Sequence, residues 1–232
     1  MLPLMQQCYD TALGVRTLAT AMKKGEIASL KIALSRTVGL ELLIPFLSEL
    51  MRAMNGLELK FLRGSADEVA EIMKQGDADL ALAGSPSASW DRLAARPLFT
   101  ERYALLVNMG HRLADHEAFD IDELRQERLL SRTYCEQVEP LAAQLRGLGI
   151  PMTSGHEVSS ERDLICLLEG NMGVAIAPRS TMLTPALKRL AIDKLELERT
   201  VYLYAVAGRP RSAAATLLMK QLQAADWQRM LN

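Results

Sequence analysis

The stretch that decides the fold is ARPLFTERYALLVNMGHRL, residues 95–113, where a proline interrupts two runs that each read as strand. Just before it, ADLALAG (78–84) reads as a buried strand running into a loop. Pro97 and Phe99 then lead into YALLV (103–107), a second apolar run closed by Asn108 and Gly110. A chain that leaves one sheet through a proline and starts a new strand at once is passing between two bodies. The sequence on either side supports this.

Upstream, SLKIALS (29–35) alternates Leu30, Ile32 and Leu34 as a strand does. GLELLIPFLSELMRAMNG (39–56) places Leu40, Leu43, Ile44, Leu47, Leu50, Met51 and Met54 on one helical face. Pro45 bends its first turns and Asn55-Gly56 stops it. LELKFLRG (57–64) is a second strand. Ser65 and Glu68 then form the S-x-x-E signature of a capped helix that carries Val69, Ile72 and Met73 to Gly76. With ADLALAG as the third strand, these are two consecutive βαβ units, hence a mostly parallel sheet with right-handed crossovers.

The alternation resumes after residue 100. YALLV is a strand, DIDEL (120–124) a short helix, RLLS (128–131) a strand and EQVEPLAAQLRGLG (136–149) a helix. GHEVSS (155–160), ERDLICLLEG (161–170) and GVAIAP (173–178) read as strand, helix and buried strand. TVYLYAVAG (200–208) is a further strand, and SAAATLLMKQLQAADW (212–227) a closing helix. PLFTE (97–101) is then one crossing between lobes, and VYLYAVAGRP (201–210) the return. The expected fold is α/β: two Rossmann-like lobes joined by two crossing strands, with a cleft between them.

The totals agree with an ordinary globular chain. It has 232 residues, 27 Lys+Arg against 28 Asp+Glu, and is 49% hydrophobic. A net charge of −1 without a dense basic tract argues against this polypeptide gripping a phosphate backbone by itself. Cysteines at 8, 135 and 166 show neither paired spacing nor an even count, as in a reduced, cytoplasmic compartment. No apolar run approaches a membrane span, and the N-terminus lacks the features of a signal peptide. Residues 1–24 repeat Met1, Met5, Cys8, Ala12, Val15, Ala19 and Met22 at alternating four and three, a heptad seam ended by Lys23, Lys24 and Gly25. The alternatives are pairing with another helix or a lone amphipathic helix on its own domain, and pairing is favoured.

Taken in order, GDADLALAG (76–84), PLFTERYALLV with His111, FDIDELRQERLLSR (119–132) and LEGNMGVAIAPRS (168–180) resemble the effector-binding domain of LysR-type transcriptional regulators. The leading heptad resembles that family's linker helix. The resemblance implies a type II periplasmic-binding-protein-like fold, with a linker and dimerisation helix at 1–27. Lobe I would be 28–99 plus 208–232, and lobe II 100–207. It implies a homodimer or homotetramer in which the helix at 40–54 of one subunit lies near that at 161–170 of another. Promoter DNA would be met only through an N-terminal winged helix-turn-helix that this chain lacks.

In open α/β sheets, ligands sit beyond the carboxyl ends of strands, near helix N-termini. The polar residues there are Ser35, Arg36 and Thr37 after the first strand, Ser65 at a helix start, and Ser85 after the third strand. Thr100 and Glu101 occupy the first crossing; Ser131, Arg132 and Thr133 end RLLS; Ser159 and Ser160 precede a helix. The plain alternative is that these hydroxyls only cap helices, most directly for Ser65 with Glu68 and Ser160 with Asp163. In regulators of this resemblance the strand ends, the hinge and the end of RLLS line the effector pocket. That selects Ser35 to Thr37, Ser85, Thr100 with Glu101, and Arg132 with Thr133. Arg36 and Arg132 are expected to face each other across the cleft and to take a small carboxylate, because bidentate pairing adds geometry to charge. Glu101 leaves open neutralisation of an arginine or receipt of an amine.

No cofactor or metal is expected. His111, His116 and His156 show no ligand spacing, and no G-x-S-x-G elbow, phosphate loop or H-E-x-x-H occurs. Gly170 to Gly173 reads as a helix stop with a left-handed glycine. Cys166 and Cys8 read as packing residues, and Cys135, beside the presumed pocket, as a minor candidate for redox sensing. The rival class is a free-standing periplasmic-type solute-binding protein; an enzyme is disfavoured because no base and nucleophile pair stands out.

Overall fold

The computed structural model describes residues 29–88, 90–150 and 156–231. The expected helix at 1–27 lies outside them. The chain opens with β1 (Ser29–Ser35), α1 (Ile44–Ala53), β2 (Glu58–Gly64), α2 (Ala66–Gln75) and β3 (Leu80–Ala83). β1 lies between β2 and β3, parallel to both, as two βαβ units require.

The proline of the opening stretch does not break its strand. β4 (Leu93–Asn108) runs unbroken for 16 residues. Its first half pairs antiparallel with β10 (Glu198–Val206), and the register shifts between Val201 and Tyr202. Phe99 faces Val201 and Pro97 faces Tyr202, so Leu98 is an extra residue. A proline has no N–H for the ladder and is tolerated at such a bulge. The second half of β4 instead pairs with β8 (Ala175–Pro178) and β9 (Leu187–Asp193). One strand therefore serves two lobes, and β10 returns beside it.

Between these lie β5 (Ala118–Asp120), parallel to β9, and β6 (Leu130–Arg132), parallel to β7 (His156–Val158). The helices of this half are α3 (Val138–Gly147) and α4 (Glu161–Glu169). DIDEL forms a 3-10 helix, Ile121–Gln126, capped by Asp120. The chain closes with α5 (Ala213–Ala224) and α6 (Trp227–Leu231), two helices where one was expected. β5 and β9 went unread in the sequence. In LKRLAID (187–193) the buried positions are Leu187 and Leu190, three apart, which hides the period of two. Its charges meet carbonyls: Lys188 Nζ donates to those of Ala114 and His116, and Arg189 Nη2 to Thr181 O at 2.7 Å.

Each lobe has its own apolar core. Leu30, Ile32, Leu43, Leu50, Phe99, Val201, Leu203, Leu218 and Trp227 pack in the first. Tyr103, Leu105, Val107, Phe119, Leu145, Ile176 and Leu197 pack in the second. The change of core falls between Phe99 and Tyr103 on β4, and between Leu197 and Val201 on the return. α1 buries Leu47 and Leu50 and leaves Ile44 and Met51 each 49% exposed, so its apolar stripe is wider than the face it buries. The stop after α4 is made by Asn171 (φ 53°), not by a left-handed glycine. Gly173 is required for closeness, since a Cβ there would lie 2.5 Å from Arg128 O. No helix among the described residues is long and apolar enough to cross a membrane.

Trp227 ties the C-terminus to the first lobe. Its ring centroid lies 4.9 Å from that of Phe99 on β4 and 5.6 Å from that of Phe46 on α1, and its Nε1–H donates to Leu222 O at 2.9 Å. Trp227→Ala is expected to cost about 3–5 kcal/mol of stability, read as a lowered urea midpoint. A change below about 1 kcal/mol would show that the last helix contributes little to this core.

Candidate functional site: an arginine hub between the lobes

The sequences TER (100–102) and ERT (198–200) pair antiparallel where the chain crosses: Thr100 opposite Thr200, Glu101 opposite Arg199, and Arg102 opposite Glu198. Side chains alternate across a sheet. The threonine pair (Oγ1 to Oγ1 2.8 Å) and the Arg102–Glu198 ion pair (3.0 Å) are exposed. Glu101 and Arg199 are buried, their side chains 2% and 1% exposed, with Nε 2.9 Å from Oε1.

Arg199 gathers both lobes around itself. Its Nη1 donates to Thr37 Oγ1 (2.7 Å) and Glu136 Oε1 (3.0 Å), and its Nη2 to Thr37 O (3.0 Å) and Ser180 Oγ (3.3 Å). With Nε on Glu101, the five N–H groups of the guanidinium have acceptors. Ser180 returns two bonds to Glu101, N to Oε2 at 2.6 Å and Oγ to Oε1 at 2.8 Å. Thr37 Oγ1 in turn donates to Glu136 Oε2 at 2.8 Å. Burial alone would lower the pKa of Arg199, but Glu101, Tyr103 and Glu136 reverse that and the net shift is upward. Burial would raise Glu136, yet Arg199, its own backbone N–H and the Thr37 hydroxyl hold the carboxyl below its ordinary range. Tyr103 is pushed up, mainly by burial.

Beside this hub the cleft opens into a cavity of about 610 Å³. Arg36, Thr37, Leu40 and Arg63 line it from the first lobe, and Tyr134, Glu161, Arg162 and Thr181 from the second. Arg63 Nη1 holds Ser35 O (3.0 Å) and Val38 O (2.5 Å), and burial lowers its pKa. Thr181 is 6% exposed, and its hydroxyl has no partner among the described residues. Ser160 caps α4 through Asp163 N at 3.1 Å.

Of the residues selected from the sequence, Ser35, Thr37 and Glu101 come together in or beside the hub; Ser35 Oγ lies 3.4 Å from Thr37 Oγ1. Arg36 sits on the cleft rim, half exposed and paired with Glu68 at 3.0 Å. Ser65 makes both bonds of its capping box with Glu68, which is the plain alternative. Ser85 is exposed in the loop after β3, hydrogen-bonded to Tyr204, whose pKa is pushed up to about 12, chiefly by burial. Thr100 lies on the exposed face of the crossing and lines a second cavity with Trp227 and Arg179. Thr133 Oγ1 donates to Val158 O (3.0 Å) and so ties β6 to β7.

Arg132 does not face Arg36. It is buried, with Nη2 on Glu161 Oε2 (2.9 Å), Nε on Tyr134 Oη (3.2 Å) and its guanidinium carbon 5.1 Å from the centre of the Tyr134 ring. Tyr134 donates a further bond to Glu161. Burial alone would lower the pKa of Arg132, but Glu161 leads the groups that raise it. Both expected clamp arginines therefore already hold a carboxylate. Sequence reasoning missed Arg199, Glu136, Ser180 and Thr181. Arg199 was within reach, since an acid and a base directly opposite stabilise an antiparallel pair. Glu136 and Ser180 carried no comparable signal. Cys135 is buried, with Tyr103 Oη and Arg132 Nη1 each 3.7 Å from its sulfur, whereas Cys166 is exposed, not a packing residue.

Two α/β lobes that share a pair of crossing strands and close on a polar cleft define a ligand-binding domain of the type II periplasmic-binding-protein plan. The chain belongs to the family of LysR substrate binding domains, whose pattern it matches over residues 23–227. It is 26% identical over 181 residues to the HTH-type transcriptional regulator CysL of Bacillus subtilis, covering 76% of this chain and 59% of CysL. The chain thus spans about three-fifths of that relative's length. The fold matches the effector-binding domain of QuiR in complex with shikimate (TM-score 0.70, 15% identity, 85% of this chain and 96% of that one). It also matches the regulatory domain of CcmR from Synechocystis PCC6803 in complex with 2-PG (TM-score 0.70, 19% identity, 85% and 96%). These matches do not favour a free-standing periplasmic solute-binding protein.

Removing Glu101 leaves the buried Arg199 with one carboxylate, Glu136, in place of two, and takes away the acceptor of Ser180. Glu101→Ala is expected to cost about 3–5 kcal/mol, measured by urea unfolding. Glu101→Gln, which keeps an acceptor for Arg199, is expected to cost less. Equal losses from the two variants would mean that the retained acceptor contributes nothing, and no loss in Glu101→Gln would mean that the charge of Glu101 does not matter here.

Proposed function

We propose that this chain is the sensing part of a DNA-binding transcriptional regulator, taking a small carboxylate in the cleft between its lobes. The observation that carries this is the cavity of about 610 Å³ where Thr37 and Arg63 of one lobe meet Tyr134 and Thr181 of the other, the Thr181 hydroxyl having no partner among the described residues. Pockets of this size, with a few convergent polar groups, suit metabolites. The ligands named for QuiR and CcmR support the reading by analogy. Contacts from Thr37 and Arg63, with Ser35 behind them, replace the expected Arg36–Arg132 clamp. The cleft binds without catalysis, works in the cytoplasm and needs no cofactor.

The lobes turn about the segment where TER crosses ERT, and a ligand spanning both favours one hinge angle over another. It can do so only through its differential affinity for the two arrangements. DNA reading lies outside these 232 residues. The domain works as a homodimer or homotetramer through α1, whose exposed Ile44 and Met51 need cover, against α4 of a second copy.

Calorimetry of the purified chain against a panel of small carboxylates and amines tests the sensing role. A carboxylate is expected to bind, and Thr37→Val to weaken it about tenfold through the loss of one buried hydrogen bond. Binding of amines alone, or affinity indifferent to Thr37, would overturn the assignment. For the assembly, small-angle scattering is expected to give twice the chain mass, reduced to one by Met51→Lys. A monomer at all concentrations would remove the pairing.

A further inference from the structure

Glu136 stands just before α3, in the second lobe, yet its carboxylate crosses the cleft. It accepts the Thr37 hydroxyl at 2.8 Å and Arg199 Nη1 at 3.0 Å. It also comes up to Gly84, just past β3 in the first lobe, where a Cβ would meet Glu136 Oε1 at an ordinary contact distance of 3.5 Å. The side chain is 18% exposed, against 1% for Arg199, so it forms the outer edge of the hub, while Glu101 and Ser180 are bound on its inner side.

We infer that Glu136 is a tethered carboxylate occupying a carboxylate-binding site made by Thr37 and Arg199, so that a ligand carboxylate enters by taking its place. This rests on the sensing role proposed above and assigns the anchoring donors of that site. The charge count favours exchange over addition. Arg199 already faces two carboxylates, Glu101 and Glu136, and a third beside them would be repelled at short range. Exchange keeps the number unchanged, since Glu136 stands at the edge and can turn to solvent, whereas Glu101 is enclosed. The same contact joins the lobes, so displacement of Glu136 unties one lobe from the other in the step that admits the ligand.

Acetate is the probe, being the side-chain carboxylate of Glu136 without its tether. In Glu136→Ala the donors of Thr37 and Arg199 lose their acceptor and space opens beside them. Acetate in tenfold excess over its dissociation constant is expected to raise the melting temperature of this variant by about 3–6 °C. Sodium chloride at equal ionic strength is expected to do less than half as much, and the wild-type chain to respond to acetate no more than to chloride. Equal acetate responses in wild type and variant, or no response in the variant, would overturn the assignment. Should Glu136→Ala fail to fold, Glu136→Gln replaces it, with an acetate response expected between those of wild type and zero tether; a response equal to the wild type's then counts against the proposal. The calorimetric panel separates the two levels. A wild-type binder without acetate rescue removes the tethered carboxylate and leaves the sensing role, and rescue without any wild-type binder does the reverse.

Discussion

The structure depends on one ion pair, Glu101 with Arg199, buried where the chain passes between its two lobes. Moving two charges out of water costs several kcal/mol per ion unless both are fully hydrogen-bonded. Here Arg199 has acceptors for all of its donors, and Glu101 takes three bonds from Arg199 and Ser180. What the pair gives in return is register. A slip of one residue along β4 would set Arg199 against Thr100 or Arg102 and turn the Glu101 carboxylate to the exposed face, because side chains alternate at every step. The bulge at Leu98 lies three residues before Glu101 on the same strand. One device absorbs a proline that cannot join the ladder, and the other fixes where pairing resumes.

This arrangement explains why a polar hub sits where the lobes meet. Each lobe completes its own apolar core, the first ending at Phe99 and Val201 and the second at Tyr103 and Leu197. Between those limits the crossing strands carry TER and ERT, with no large apolar side chain on either. The contacts that Arg199 and Glu136 make across this joint are hydrogen bonds, which are directional and exchangeable. Packed cores resist small displacements. A joint of this kind can change its angle while both cores stay intact.

Much of the fold was legible because its strands and helices carry local periodicity. LKIALS, ADLALAG and GVAIAP are apolar runs of strand length, and the Ser65–Glu68 box marks a helix start that the structure repeats bond for bond. LKRLAID was not legible, because its charged residues find carbonyl partners from distant loops that no local pattern announces. The site was read in halves. Ser35, Thr37 and Glu101 follow from strand ends and the crossing; Arg36 and Arg132 stand at strand ends too, but their role as a clamp was read from their charge. Charge by itself is a poor guide to a binding site, since an arginine near the cleft pairs first with whatever carboxylate its own lobe supplies: Glu68 for one, Glu161 for the other. Glu136 was hidden in a stretch that reads only as the start of a helix.

A tethered carboxylate also changes what affinity means for such a domain. If Glu136 holds its donors most of the time, the observed affinity of a ligand is the intrinsic affinity scaled by the fraction of molecules in which Glu136 has let go. Weak measured binding is then compatible with strong contacts, and the deficit equals the free energy that keeps the lobes tied when no ligand is present. The same quantity sets the sensitivity of the response. A latch too weak leaves the lobes untied without ligand, and one too strong demands ligand concentrations the cell does not reach. Thr37 and Arg199 determine that balance as much as Glu136 does, because their donors fix how well the carboxylate is held. Sensitivity in this chain is therefore set by the tethered carboxylate, which need never touch the ligand, as well as by the donors that do.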